Sequence, residues 1–365
     1  MLRDPLFKKI LRMGWGIALG IHSVLNLLLP RSRTRVQVFF GGARPGDVGG
    51  PLVKVKRLRA LFPEQFWGFN LVYTLSNTPY LPNFALWLLK VRRVPIVHNQ
   101  NGVFYPGWYD GDWEGQNRRM ARTFHQADYV FYQSEFCKLS AEKYLGVRKG
   151  ASEILYNAVD TQFYRPASDS NERSRHGAYC FLLTGKIDDH MYYRVESSIR
   201  GLAAAKDLNA ELIVAGWMAE NATTQAESLA RELGVIDRVK FTGRYTQEEA
   251  PEIYQSADVY IMMKHNDPCP NTVLEALACG LPVLYSDTGG VSELVGDAGI
   301  GLDCEQGWGA PEVPKAGVIG QGMVDIVTQL ETLSANARKR AVERFDICHW
   351  ERRHGEIFAQ LLEQN

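Results

Sequence analysis

Compact apolar runs alternate with amphipathic stretches along most of the chain. Residues 36–40, 69–73, 95–98 and 129–133 are rich in Val, Ile, Phe and Tyr and read as strands. Residues 53–61, 84–91 and 118–127 lie between them with apolar positions at helical spacing. Beyond a polar stretch at 167–176 the alternation resumes. Strands are predicted at 179–183, 211–216, 239–244, 257–263 and 283–285, with helices at 194–206, 221–233 and 248–256 between them. Alternating strands and helices predict an α/β protein of parallel, doubly wound sheets. Residues 336–363 read as two helices broken at Phe345-Asp346-Ile347, and no repeat of 20–50 residues is evident.

Residues 1–30 depart from this pattern. Leu6, Phe7, Ile10, Leu11, Gly14, Ile17, Ala18, Ile21, Val24, Leu25 and Leu28 recur at helical spacing. Arg3, Lys8, Lys9 and Arg12 precede the apolar part, and Arg31, Arg33 and Arg35 follow it. A spanning helix needs about 20 apolar residues, whereas the run at 13–29 is shorter and holds His22, Ser23 and Asn26. No small-residue cleavage site precedes the strand at Val36. Two readings stand: a helix on the cytoplasmic membrane face, held by apolar burial and anionic lipid, or one packed on the protein's own core or a partner.

The stretch Asn266-Asp267-Pro268-Cys269-Pro270-Asn271-Thr272 opens a short helix that carries Glu275. Two prolines keep the chain extended or turning around Cys269, Asn271 is a plausible N-cap, Gly280 stops the helix and Pro282 prevents it resuming. A helix N-terminus offers unpaired N–H groups and partial positive charge, which suits a phosphate. Asp267 and Glu275 stand one before the helix and one on it.

Charge and cysteine content narrow the function. Lys+Arg and Asp+Glu balance at 41 each, which gives no basic excess of the kind nucleic-acid binding requires. Six scattered cysteines form no CxxC pair, which argues against zinc and a disulfide framework and fits a reducing compartment. Asp110-Gly111-Asp112 is a common acidic loop pattern, and no metal is expected there. The glycines at 41–50 are not in GxGxxG spacing, which counts against a dinucleotide oxidoreductase.

The stretch from Asp267 to Glu275 resembles the donor signature of retaining glycosyltransferases of family 4, which have the GT-B fold. In that family two glutamates eight positions apart flank a loop and a helix start; here Asp267 fills the first position and Glu275 the second. Asn157-Ala158-Val159-Asp160 through Phe163 and Pro166 resembles the family's interdomain hinge, and Ala127-Asp128 through Ser134-Glu135 a strand-to-helix step with Ser134 as N-cap. The likeness covers about 36–363. It implies two Rossmann-like domains facing a central cleft: 35–166 for the acceptor, 167–340 for the donor, and 341–365 returning to the first domain. Residues 1–34 form the basic, apolar N-terminal helix.

The resemblance also implies roles. The first carboxylate, Asp267, holds donor-sugar hydroxyls, and Glu275 binds the ribose. Amides at Pro270, Asn271 and Thr272 touch the diphosphate. Gly185 and Lys186, with Arg194, clamp that diphosphate, because negative charge builds on its oxygens as the glycosidic bond breaks. Gly49 and Gly50 in the first loop face phosphate and acceptor, and either His98 or Asn101 faces the donor sugar. The implied activity is retaining transfer of a sugar from a nucleotide diphosphate sugar, UDP or GDP, to a hydroxyl acceptor; the basic, apolar N-terminus suggests that the acceptor is presented at the membrane, as a lipid-linked or cell-surface glycan precursor would be. No cofactor is implied, and the location is cytoplasmic, at the inner membrane face. The alternatives are a non-catalytic nucleotide-sugar-binding or scaffold protein of GT-B fold and another GT-B enzyme, such as a sugar-nucleotide epimerase. A phosphorylase would need a cofactor-lysine motif that is not seen.

Overall fold

A computed structural model describes residues 6–30, 32, 35–46, 50–76, 80–167 and 177–364. Gly49 and most of the polar linker lie outside them. The chain forms two compact units. The first holds Met1–Tyr156, Trp308–Ala310 and Cys348–Asn365, and the second Asn157–Gly307 and Pro311–Ile347. The hinge-like segment from Asn157 to Pro166 therefore groups with the second unit, and nearly all of the last helix with the first.

In the first unit, α1 (Leu6–Leu27) precedes β1 (Val38–Phe39), α2 (Gly50–Leu61), β2 (Leu71–Leu75), α3 (Asn83–Val91), β3 (Ile96–Gln100), α4 (Trp113–Gln126), β4 (Tyr129–Tyr132), α5 (Glu135–Leu145) and β5 (Ala151–Ile154). All strands are parallel, in the order β1-β2-β3-β4-β5. One core gathers Phe39, Val72, Ile96 and Val130 of the strands with Leu86, Phe124 and Cys137 of the helices. On other strand positions Tyr73 and Phe131 meet the chain's final helix (Ile347–Glu363). There the His354 ring lies 4.6 Å from that of Phe131 and its Nε2 lies 3.2 Å from the Tyr73 hydroxyl. Arg353 of the same helix grips the Glu153 carboxylate of β5 at 2.8 and 2.9 Å.

Local chemistry sets the helix starts. Ser134 caps α5 by accepting from the Cys137 amide at 3.0 Å, and Asp112 caps α4 by accepting from the Gly115 amide at 2.8 Å. The second aspartate of Asp110-Gly111-Asp112 is thus a capping residue. Among the described residues no group of three or more His, Cys, Asp or Glu is placed to hold a metal ion.

The first helix is inside-out. Leu19, Ser23 and Asn26 are buried while Ile10, Ile17, Ile21 and Leu25 are exposed. Its polar residues fasten it to the unit: Asn26 accepts from the Gly68 amide at 2.7 Å, and His22 Nε2 meets the Phe66 carbonyl at 2.5 Å. Among the described residues no helix is long and apolar enough to cross a membrane. Of the two readings of residues 1–30, packing on the protein accounts for the inner face only.

His98 and His354 are both fully buried. Burial holds His98 down to about 4 and His354 to about 3, against an ordinary value of 6.5. Both stay neutral in the folded chain, whereas the unfolded chain takes up their protons near pH 6.5. Stability from these two groups is complete above that pH and is lost as pH falls toward 4. The expected loss by pH 4 is about 3 kcal/mol for His98, readable from denaturant midpoints across that range.

The second unit runs β6 (Tyr179–Thr184), α6 (Tyr193–Ala204), β7 (Ala210–Ala215), α7 (Glu220–Glu232), β8 (Val239–Gly243), α8 (Ala250–Gln255), β9 (Val259–Met262), α9 (Asn271–Ala278), β10 (Val283–Ser286), α10 (Val291–Val295), β11 (Gly299–Leu302), α11 (Ala316–Thr328) and α12 (Leu330–Arg344); the final helix is α13. The parallel strand order is β11-β10-β9-β6-β7-β8. Chain direction across the sheet reverses between β6 and β9, the double winding expected from sequence; the described strands of the first sheet follow chain order. Arg338 of α12 donates to the Tyr164, Thr161 and Ala278 carbonyls at 2.7–3.0 Å, fastening the hinge-like segment to the end of α9.

Candidate active site

In open parallel sheets a ligand site forms beyond the carboxyl ends of the strands where strand order reverses. In the second unit that place is set by β6 and β9, which pair side by side. The turn Gly185-Lys186 follows β6, and the loop from Met263 to Pro270 follows β9. Both carry residues singled out in the sequence.

Gly185 has φ +129, and a Cβ on neighbouring Gly216 (φ +123) would collide with the Gly185 carbonyl. Two glycines therefore let the ends of β6 and β7 approach. Lys186 is exposed, with Nζ 5.0 Å from the centroid of the Trp217 ring; Arg244 lies 5.8 Å from the same ring. The indole thus holds two cations at the ends of β6, β7 and β8. Arg194, at the start of α6, is buried, and its Nη2 donates to the Thr184 carbonyl at 3.1 Å. Its Nε has no partner, and its guanidinium lies against the Gly185 turn. Arg194 underpins that turn.

The loop after β9 is held from several sides. Asn266 adopts φ 53, uncommon outside glycine. Its side chain donates to the Gly307 carbonyl at 2.6 Å and accepts from Gln306, while His265 Nε2 meets the same carbonyl at 3.0 Å. Gly289 (φ +74) lies under it, where a Cβ would come 2.6 Å from the Asp267 carbonyl, and Gly290 donates to that carbonyl at 2.9 Å. Asp267 is itself engaged: Lys264 meets Oδ2 at 2.7 Å and the Cys269 amide donates to Oδ1 at 3.2 Å. Asn157 donates to the Cys269 carbonyl at 2.8 Å, and its own amide meets the Cys269 sulfur at 3.3 Å. Cys269 is a buried spacer there.

Asn271 is not the N-cap expected from sequence. It is the first residue of α9, and Pro270 occupies the cap position without a side-chain bond. A proline side chain has nothing to donate or accept, so the cap residue itself leaves the first amides of α9, Asn271 and Thr272 among them, uncovered. Glu275 stands one turn on. Tyr254 donates to its Oε2 at 2.8 Å, and the same hydroxyl lies 3.2 Å from Thr184 Oγ1, which meets the Tyr260 hydroxyl at 3.0 Å. A chain of hydroxyls therefore links the end of β6 to Glu275. Removing it with Tyr254→Phe is expected to weaken nucleotide binding about fivefold with little change in kcat, the cost of one charge-assisted bond that orients the carboxylate. Titration calorimetry checks this.

The remaining predicted residues belong to the first unit or lie outside the described residues. Gly49 falls outside them, and Gly50 begins α2. His98 has no exposed surface, with Nδ1 2.9 Å from Thr74 Oγ1 and Nε2 3.1 Å from Gln100 Oε1. Those are the contacts of a core histidine. Asn101 accepts from Gln133 at 2.8 Å, while its own Nδ2 is buried without a partner. Sequence reasoning passed over Tyr254, Trp217, Lys264 and Gln306. Only Lys264 carried a local signal, the i,i+3 spacing to Asp267.

Solved structures of like architecture include sucrose-phosphate synthase of Thermosynechococcus elongatus, at TM-score 0.63 and 18% identity over 86% of this chain and 78% of that one. Anabaena HepE, solved with UDP and glucose, matches at TM-score 0.63 and 19% identity over 89% and 86%. This is the fold of the GT-B glycosyltransferases. The family described as Glycosyltransferase Family 4 matches residues 26–163, and Glycosyl transferases group 1 matches 191–312. The chain belongs to the family 4 glycosyltransferases. Among relatives, a D-inositol 3-phosphate glycosyltransferase of Nocardiopsis dassonvillei is 26% identical over 253 residues, 63% of this chain. The chain spans 58% of that relative's length.

Proposed function

We propose that the protein transfers a sugar, with retention of configuration, from a nucleotide diphosphate sugar to a hydroxyl of a lipid-linked or cell-surface glycan precursor. The observation that carries this is the arrangement at the reversal of the second sheet. Lys186 stands on the glycine turn after β6, Asp267 and the uncapped start of α9 follow β9, and Glu275 is tied back to β6 through Tyr254. A uridine diphosphate donor is supported by the UDP and glucose bound to HepE.

Glu275 takes the ribose hydroxyls, while Lys186 and the amides of Pro270–Thr272, less the missing proline N–H, face the diphosphate. Asp267 keeps lone pairs beyond those used by Lys264 and Cys269, because a carboxylate accepts about four hydrogen bonds; these orient the sugar. The bond from the anomeric carbon to the phosphate oxygen breaks as the acceptor oxygen bonds to that carbon on the same face. The acceptor proton passes to the departing phosphate. Catalysis is then positioning and charge stabilisation.

Release of free nucleoside diphosphate from UDP-, GDP- and ADP-sugars, with and without hydroxyl acceptors, tests the proposal. No turnover together with no thermal protection by any donor overturns it. Protection without turnover assigns the non-catalytic binding role, for which the engaged oxygens of Asp267 speak, and a donor converted to its epimer assigns the isomerase role.

A further inference from the structure

One side-chain bond spans the reversal of the second sheet. Tyr193 opens α6, the helix that follows β6, and its hydroxyl accepts from the amide of His265, in the loop after β9, at 3.2 Å. The ring packs against the core of the second unit, so the hydroxyl is fixed where β6 and β9 end side by side. That bond uses a lone pair of the oxygen and leaves the O–H proton to be donated. Among the described residues nothing accepts it. Burial raises this phenol above its ordinary value, so it stays protonated at neutral pH and remains a donor.

The charges around the hydroxyl say what it should meet. Arg194, the next residue, acts on it more strongly than Asp267 does. Arg194 is buried, its Nη2 goes to the Thr184 carbonyl and its Nε has no partner; among the described residues no carboxylate pairs with it. A buried guanidinium without a counter-charge is costly to keep. Asp267 is already matched, with Lys264 at 2.7 Å. The two acids before α6 are drawn off elsewhere, Asp188 accepting from the Met191 amide at 3.1 Å and Asp189 from Asn221 of α7 at 3.1 Å. The carboxylate facing the hydroxyl is therefore answered and the cation is not. An anionic oxygen suits both groups: it accepts the O–H proton and faces the guanidinium charge. A sugar hydroxyl brings no charge and fits Asp267 better, which can only accept.

We propose that the Tyr193 hydroxyl donates to the sugar-bearing phosphate of the donor, which makes it a binding residue of the diphosphate. The inference rests on the donor reading above. His265, which fixes the hydroxyl, stands two residues from Asp267, at the sugar end, whereas the ribose end is marked by Glu275. The phosphate beside the sugar is thus the one within its reach.

A nucleoside monophosphate lacks that phosphate, so the pair UDP and UMP, titrated calorimetrically into the full chain, tests the assignment; GDP with GMP and ADP with AMP are run alongside. Tyr193→Phe keeps the ring and its core contact. It is expected to weaken the diphosphate about tenfold and to leave the monophosphate within about twofold, the loss of one charge-assisted bond at one phosphate. Equal weakening of both nucleotides, with a lowered unfolding midpoint in the absence of ligand, overturns the proposal and makes Tyr193 a brace for the loop after β9. Unchanged diphosphate affinity overturns it as well. A parent chain that binds none of UDP, GDP and ADP overturns the donor reading itself and the Tyr193 assignment with it, whereas a parent that binds and a variant that binds equally well remove Tyr193 alone.

Discussion

Lys186→Met is expected to lower kcat for sugar transfer about 100-fold or more while shifting the unfolding midpoint little. The ammonium group is exposed, and among the described residues it forms no ion pair; its recorded contact is the Trp217 face. Folding therefore gains little from its charge. A departing diphosphate gains much, because negative charge grows on its oxygens as the anomeric bond lengthens, and removing one preorganised donor costs on the order of 100- to 1,000-fold. The substrate carries the same phosphates before reaction, so KM rises as well, but by less. Single-turnover kinetics at saturating donor isolate the kcat effect. Turnover kept within a few-fold of the parent removes Lys186 from the clamp and points to Arg244, which shares its indole.

Glu275→Ala is expected to weaken donor binding about 30-fold, roughly 2 kcal/mol, through loss of charge-assisted bonds to the ribose. The variant leaves the Tyr254 hydroxyl without its carboxylate but still beside Thr184, so the fold survives. Calorimetry with the nucleoside diphosphate alone reads the effect without needing turnover, and an affinity equal to the parent's would falsify the assignment. The double variant with Tyr254→Phe should be no worse than Glu275→Ala, since the tyrosine acts through the carboxylate.

Much of the second unit was legible from local rules. Gly280 adopts φ +76 and ends α9, and β10 begins at Val283 immediately after Pro282. The break at Phe345-Asp346 separates α12 from α13 as the pattern required. What escaped was decided by neighbours distant in sequence. β5 and β11 are four-residue edge strands defined by pairing on one side, and their short, partly exposed runs gave no distinct period. Residues 316–328 went unread although they form α11, which packs on the α6 side of the second core. The partner of Glu275 lies 21 residues away on another helix. His98 owes both of its ring contacts to strand neighbours, one of them Thr74 across the β2–β3 pair. For α1, periodicity gave the stripe but not the side on which it lies; His22, Ser23 and Asn26 looked like interruptions and are the attachment points.

The hydroxyl cluster behind Glu275 is also optically quiet at high pH. Burial pushes Tyr254 well above the ordinary phenol range, and Tyr260 and Tyr245 upward too, with the nearby Glu275 charge adding to the effect. These rings do not become phenolate while the unit is closed. Above pH 10 the unfolded chain ionises them and the folded chain does not, so stability drains away with rising alkalinity. Phenolate absorbance from this cluster therefore arrives with unfolding rather than before it, and the cluster reports from within when the second unit opens.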